Sequence, residues 1–103
     1  MKKIEELEQM SNLELFIYNG TLQGKDKDYK KQLEYWHEKC CNAFDTCMDK
    51  MTQKNYERLE LAMNTYKSVL NDKVNNKTEL EMIQKIARKK NINLKKYIIT
   101  LTN

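Results

Sequence analysis

One group of residues has the composition of a reactive site: His37, Cys40, Cys41 and Cys47 lie close together in the chain. On a helix, His37 and Cys41 are one turn apart and could share a metal ion, whereas Cys40 and Cys47 are two turns apart. Structural zinc needs four ligands, usually in pairs of short spacing, and this chain has a single histidine. We therefore expect no metal site and no cofactor, with the cysteines acting as small core hydrophobes.

Catalysis would need more than these residues supply. Cys41 and His37 could form a nucleophile and its base, but nothing in the sequence identifies an orienting third group or an oxyanion hole. Asp45 and Asp49 share a helix face, which is the ordinary spacing of a solvated surface. Acid–base catalysis instead needs two carboxyls in a cleft with separated pKa values. We predict that the chain is not an enzyme.

Two other groups are candidate binding residues. Trp36 fits an apolar stripe that faces the core. Tyr35, the preceding residue on the helix, could be exposed and act as a contact residue. The formal net charge is +4, and the whole excess lies in residues 78–103, because residues 1–77 carry equal numbers of acidic and basic side chains. The basic residues there are Lys85, Arg88, Lys89, Lys90, Lys95 and Lys96. They favour an acidic partner, or else they keep a C-terminal helix soluble and complement its dipole.

The elements that carry these residues are predicted to be helices. The chain has no proline and only two glycines, Gly20 and Gly24, and these residue types are the strongest breakers of local structure. Apolar residues recur at helical spacing. We predict an all-α fold, a small bundle of four to five helices with a central antiparallel hairpin, in a single domain of residues 1–103.

The first predicted helix follows a capping box formed by Ser11 and Glu14. It covers residues 12–18, and its inward residues are predicted to be Leu13, Phe16 and Ile17. The two glycines predict a loop at residues 19–28. This loop is a candidate mobile or binding segment.

Two apolar stripes define the central hairpin. The first recurs at Leu33, Trp36, Cys40, Ala43 and Cys47, with a parallel row one position over at Cys41, Phe44, Met48 and Met51. Together they indicate the broad stripe of a core-facing helix, not a narrow two-stranded seam. The second recurs at Tyr56, Leu59, Met63, Tyr66 and Leu70. Because the phases differ, either a turn near residues 52–55 folds a hairpin or a stutter lets one helix run from 28 to 74. We favour the hairpin, since so long a helix would need a partner.

A helix–turn–helix is predicted at the C-terminal end. Polar residues 71–77 predict a loop, and Thr78 with Glu81 predicts a second capping box that opens a helix over residues 78–90. Its inward residues are predicted to be Leu80, Ile83, Ile86 and Ala87. A break at residues 91–93 precedes a last short helix over residues 94–101, which completes a basic helix–turn–helix-like unit at 78–103. Residues 86–98 resemble the helix–turn–helix half of ribbon-helix-helix repressors. Residues 71–77 lack the alternating strand of those proteins, so the resemblance transfers no function.

Composition limits the compartment and the class of partner. Lys2 and Lys3 are followed by acidic residues instead of the apolar stretch of a signal peptide, and no run approaches membrane-spanning length. Three cysteines, two of them adjacent, are unlike a secreted disulfide framework. We expect a cytoplasmic protein with no membrane partner.

The leading hypothesis is a small intracellular interaction protein without enzymatic activity. It would bind a macromolecule, in the first place a protein, and modulate or inhibit it; size and composition fit the small proteins of phages and mobile elements. The alternative is a nucleic-acid-binding regulator, dimeric, that uses the basic residues 85–96. An enzyme using Cys41 and His37 ranks third. A homodimer is left open, because a chain this short has a thin core.

Overall fold

The structure, a computed structural model, describes residues 2–94, and this part of the chain contains three helices and no strand. The helices are α1 (Ile4–Gln9), α2 (Asn12–Asp49) and α3 (Gln53–Lys89). The all-α prediction is confirmed. The described residues form three helices and not the predicted four to five, because two long helices replace several short ones. The chain divides into two compact units: within the described residues, unit 1 comprises 2–26 and 75–94, and unit 2 comprises 27–74.

The central hairpin is confirmed, and its turn lies at residues 50–52. Thr52 caps α3: its hydroxyl accepts the backbone N–H of Asn55 at 3.1 Å, and its carbonyl accepts that of Tyr56 at 3.0 Å. The side chain of Asn55 donates to the carbonyl of Lys50 at 2.8 Å, beyond the end of α2. The turn needs neither glycine nor proline, because one threonine and one asparagine satisfy backbone groups that the helix ends leave free.

The predicted loop at residues 19–28 is wrong, since α2 continues through it. Neither Gly20 nor Gly24 has a positive φ angle. Each glycine destabilises a helix interior by about 1 kcal/mol relative to alanine. That is too little to end this helix, because Leu22 lies between the two glycines and is buried in the core of unit 1.

The predicted loop at residues 71–77 is also wrong, and for a similar reason. Asn76 is buried within α3, and its side-chain amide donates to the carbonyl of Leu22 at 2.8 Å. A tertiary hydrogen bond therefore stabilises a segment whose helix propensity is low. Thr78 and Glu81 lie inside the same helix, so the predicted second capping box and the predicted start of a separate helix at residue 78 are both wrong.

The N-terminal capping box is confirmed. The backbone N–H of Ser11 donates to the carboxylate of Glu14 at 3.1 Å, and the N–H of Glu14 donates to the Ser11 hydroxyl at 3.2 Å. Each side chain satisfies a backbone donor of the other residue. This exchange fixes the start of α2 directly after the extended residue Met10.

The core of unit 1 is formed by all three helices. Its buried residues are Leu7, Leu15, Leu22, Ile83, Ile86, Ala87, Ile92 and Leu94. Ile83, Ile86 and Ala87 face inward as predicted, and Leu80 packs against them. Leu13 and Ile17 do not: they are 62% and 56% exposed. The face of α2 that is buried contains Asn19, a residue that a hydrophobic pattern does not select.

The break after α3 is confirmed. Asn91 adopts a positive φ of 55°, the left-handed conformation that asparagine tolerates at helix C-termini. The N–H of Ile92 donates to the carbonyl of Ala87 at 2.8 Å, and the N–H of Asn91 donates to that of Arg88 at 3.2 Å. These two bonds form a Schellman motif, and they place Ile92 in the core. The predicted helix over residues 94–101 lies almost wholly outside the described residues.

Within residues 2–94, none of the helices combines the length and the apolar character that crossing a membrane requires.

Candidate protein-binding face

In unit 2, a narrow seam holds the two helices of the hairpin together. On α2 the half-buried or buried residues are Tyr29, Leu33, Trp36, Cys40, Ala43 and Cys47. On α3 they include Asn55, Leu59, Ala62, Tyr66 and Val69. Both sets recur at alternating spacings of three and four, which is the heptad pattern of a coiled coil.

The broad stripe predicted for α2 is therefore wrong. Leu33, Trp36 and Cys40 point into the seam as predicted, but Cys41, Phe44, Met48 and Met51 of the neighbouring row are exposed. One partner helix covers only one narrow stripe of its neighbour. Only Cys47, Ala62 and Val69 of unit 2 are buried; the larger seam residues are half-buried, and other large side chains lie in solvent.

Most of the exposed large side chains of unit 2 gather along one edge of this seam; Tyr35 and Leu61 lie on the other edge. We call the surface along the first edge the methionine face and define it by Phe44, Met48, Met51, Tyr56, Met63 and Leu70. These side chains are between 41% and 70% exposed. On each helix they occupy the rows that follow the seam on the same side, and in an antiparallel pair these rows lie next to each other.

Two shallow cavities lie along this edge. The first, of about 230 Å³, is lined by His37 and Cys40 from α2 and by Met63, Tyr66 and Lys67 from α3. The second, of about 240 Å³, is lined by Tyr56, Leu59, Glu60, Met63, Asn64 and Lys67. Met63 and Lys67 border both cavities. The first cavity shows that residues of the two helices form one continuous surface here.

The opposite edge of the seam is more polar, although Tyr35 and Leu61 are exposed there. A cavity of about 290 Å³ there is lined by Lys39, Asn42, Ala43, Thr46, Asn55 and Arg58. The hairpin therefore has one edge with six large exposed apolar side chains and one edge with two, which favours packing against a partner on the first edge.

Tyr35, the predicted contact residue, is exposed but does not belong to the methionine face. It packs edge-to-face on Trp36 with ring centroids 5.3 Å apart, and the ammonium group of Lys39 lies 5.4 Å from its ring. Lys39 lines the polar cavity. Tyr35 thus contacts residues of α2 itself.

The cysteines and the histidine make local contacts along α2. The Cys41 sulfur lies 4.0 Å from Nδ1 of His37, at the limit of a weak contact. Cys47 is buried, and its thiol donates to the sulfur of Met51 at 3.3 Å. Among the described residues, no group of three or more His, Cys, Asp or Glu side chains is placed to hold a metal ion.

The basic C-terminal residues are only partly available. Lys85, Arg88 and Lys89 are exposed near the end of α3. The ammonium group of Lys90 donates to the carbonyls of Glu8 at 3.2 Å and Met10 at 2.8 Å, at the end of α1. Lys95 and Lys96 lie outside the described residues. The structure therefore assigns Lys90 a role in holding α1.

Unit 1 contains a polar contact that the sequence did not indicate. The phenol of Tyr18 donates to the carboxylate of buried Glu79, whose other oxygen accepts the backbone N–H of Lys2 at 3.1 Å. Burial, followed by the hydrogen bond to Glu79, raises the pKa of Tyr18 well above its ordinary value of 10.0. This contact joins the start of the chain to α2 and α3, and every group in it belongs to unit 1.

The residues of the methionine face were missed because hydrophobic side chains at helical spacing were assigned to the core. A signal was present in the sequence: Phe44 and Met48 lie one position after Ala43 and Cys47. Two adjacent apolar rows on a helix with a single neighbour cannot both be covered.

Comparison of the chain with protein families, with characterised proteins and with solved structures finds no match.

Proposed function

We propose that this chain is a non-enzymatic interaction protein that binds a protein partner through the methionine face of its helical hairpin. The observation that carries the proposal is the distribution of large apolar side chains in unit 2: the seam buries only Cys47, Ala62 and Val69, while six large side chains are exposed along one edge.

The extent of this face supports the proposal. Taking roughly 200 Å² for the full surface of a large side chain, the exposed fractions of its six residues correspond to about 600 Å² of accessible surface. A patch of about 300–600 Å² is the largest that a typical monomer exposes, and such patches are often functional.

The chemistry of the face suits a helical partner. Methionine side chains are unbranched and polarisable, so they adapt to irregular apolar surfaces. Phe44 and Tyr56 supply aromatic area, which is enriched in interface hot spots. An amphipathic helix laid along the edge would turn the hairpin into a bundle and cover side chains that two helices leave exposed.

The nucleic-acid alternative has less support. Of its six predicted residues, Lys90 donates to backbone carbonyls, and Lys95 and Lys96 lie outside the described residues. Duplex binding that weakens steeply with salt and is lost in Lys89→Glu would favour this alternative, because binding to phosphates releases counterions.

Photo-crosslinking in the cells that make the chain tests the proposal. A photoreactive amino acid replaces Met48 on the methionine face or, as the matched control on the same helix, exposed Asn42 on the polar edge. We expect position 48 to yield a discrete protein adduct that position 42 does not yield.

The identified partner is then purified and titrated against Met48→Glu and Asn42→Glu. We expect Met48→Glu to weaken binding by more than about tenfold, because a charge would be buried at an apolar contact, and Asn42→Glu to bind like the unmodified chain. Equal adducts from both positions, or equal affinities of both variants, would refute the proposal.

A further inference from the structure

We infer that the partner on the methionine face is a second copy of this chain, which packs its α3 antiparallel to α3 of the first. This inference rests on the proposed function, since it names the partner of the same face. It follows from a symmetry in the order of residues along the exposed row of α3.

That row reads Tyr56, Glu60, Met63, Lys67, Leu70. It is apolar, acidic, apolar, basic and apolar, and it is centred on Met63. Tyr56 and Leu70 lie at equal distances on either side of Met63, and the two charges of opposite sign flank it.

A two-fold axis near Met63 makes this order self-complementary. Antiparallel packing places Glu60 of each copy opposite Lys67 of the other, and Tyr56 opposite Leu70. Isologous interfaces have this property: residue i contacts residue j, and j contacts i. Within one copy Glu60 and Lys67 are about two helical turns apart, roughly 10 Å, which is too far for a direct ion pair.

The same axis also determines which residues of α2 meet. The first cavity places His37 and Cys40 level with Met63 and Tyr66, so the axis passes close to the midpoint between His37 and Cys41. Stacked hairpins therefore bring α2 of one copy over α2 of the other as well. His37 of each copy then lies opposite Cys41 of the other, whereas Phe44 and Met48 lie opposite Glu34 and Lys30, whose aliphatic parts would cover them.

The area of the face agrees with a dimer. Two faces of about 600 Å² bury about 1,200 Å² in total, the lower edge of specific protein–protein interfaces. Tyr56, Met63 and Leu70 of the two copies would then form the apolar centre between two hairpins, as in a four-helix bundle.

Charge reversal tests the inference on the full-length chain. Sedimentation velocity, over concentrations from micromolar to hundreds of micromolar, measures dimerisation of the unmodified chain, Glu60→Lys, Lys67→Glu and the double variant. Each single reversal places like charges opposite each other twice, so we expect a dissociation constant about tenfold higher. The double variant restores both pairs and is expected to return to within about threefold of the original value.

A second pair of variants tests the apolar centre. Met63→Glu places a charge at the axis and is expected to abolish dimerisation. Ser68→Glu adds the same charge at an exposed position of α3 outside the methionine face and is expected to leave dimerisation unchanged. Circular dichroism confirms that each variant remains helical.

The results separate this inference from the proposed function. A chain that stays monomeric throughout the concentration range overturns the inference, and so does a dimer in which the double charge variant is no stronger than the singles. If the chain is monomeric and position 48 still gives an adduct with a different protein, the proposed function stands. Only the inference that the partner is a second copy is then wrong. A monomer without such an adduct refutes both.

Discussion

Replacing Gly20 and Gly24 with alanine is the sharpest test of the fold, because a loop and a helix predict opposite results. Both glycines lie inside α2 with no positive φ angle, and a Cβ atom added to either meets no atom within 4 Å. Alanine is therefore accommodated without strain, and it removes backbone freedom from the unfolded chain.

The expected gain follows from helix propensity. Glycine is about 0.8–1 kcal/mol less favourable than alanine within a helix, so each substitution is expected to raise the free energy of unfolding by somewhat less than 1 kcal/mol. The double variant is expected to gain about 1.5 kcal/mol. For a domain of this size that corresponds to an increase in Tm of about 6–12 °C.

Thermal and urea unfolding, followed by circular dichroism, measure the change. Gln23→Ala is the control: Gln23 is exposed on the same segment, and glutamine and alanine differ by only about 0.4 kcal/mol in helix propensity. If both glycine variants are destabilised while the control is unchanged, the glycines occupy a conformation that alanine cannot adopt, and the continuous α2 is refuted.

Three further predictions concern unit 1. The Ser11 N–H, followed by the Ser11 hydroxyl, lowers the pKa of Glu14 below its ordinary value of 4.5. The stability that this contact adds is therefore present above pH 4.5 and is lost as pH falls through the lowered pKa. NMR titration of Ser11→Ala should show a higher Glu14 pKa, and an unchanged pKa would contradict the capping box. The raised pKa of Tyr18 means that its stabilisation is intact below pH 10.0 and is lost at higher pH. Tyr18→Phe should lower the free energy of unfolding by about 1–2 kcal/mol, since it removes a hydrogen bond to buried Glu79. In an absorbance titration of this variant, the tyrosine ionisation step at the highest pH should be missing. Asn19 is 1% exposed, and neither polar atom of its side chain has a hydrogen-bond partner among the described residues. Asn19→Leu should therefore raise the free energy of unfolding in urea by about 1–2 kcal/mol. A lower free energy of unfolding would contradict this prediction.

The sequence predicts helix ends correctly where a few neighbouring residues decide the conformation. The capping box at Ser11 and Glu14 needs only atoms within one turn, and it forms as predicted. Asn91 ends α3 because asparagine adopts the left-handed conformation more readily than most residues do. The hairpin turn was placed a few residues late, because the threonine cap at Thr52 was not recognised.

The candidate site was harder to predict, because the sequence offered two apolar rows on α2 and could not say which one a partner helix covers. The seam residues Trp36 and Cys40 and the face residues Phe44 and Met48 have similar hydrophobicity and the same spacing. Assigning both rows to the core concealed the surface that now carries the proposed function.

The sequence by itself determined that this protein is all-α, where its first long helix begins, that a hairpin lies at its centre and where α3 ends. These features depend on spacing, caps and the absence of proline, which are properties of short segments. Only the tertiary structure decided that α2 and α3 run unbroken and that Phe44, Met48 and Met63 face outward. The physical reason is that each glycine costs about 1 kcal/mol in a helix and each asparagine up to about 0.7 kcal/mol. Burying Leu22 and the Asn76 hydrogen bond outweighs that cost, and which stripe is buried depends on the neighbouring helix that covers it.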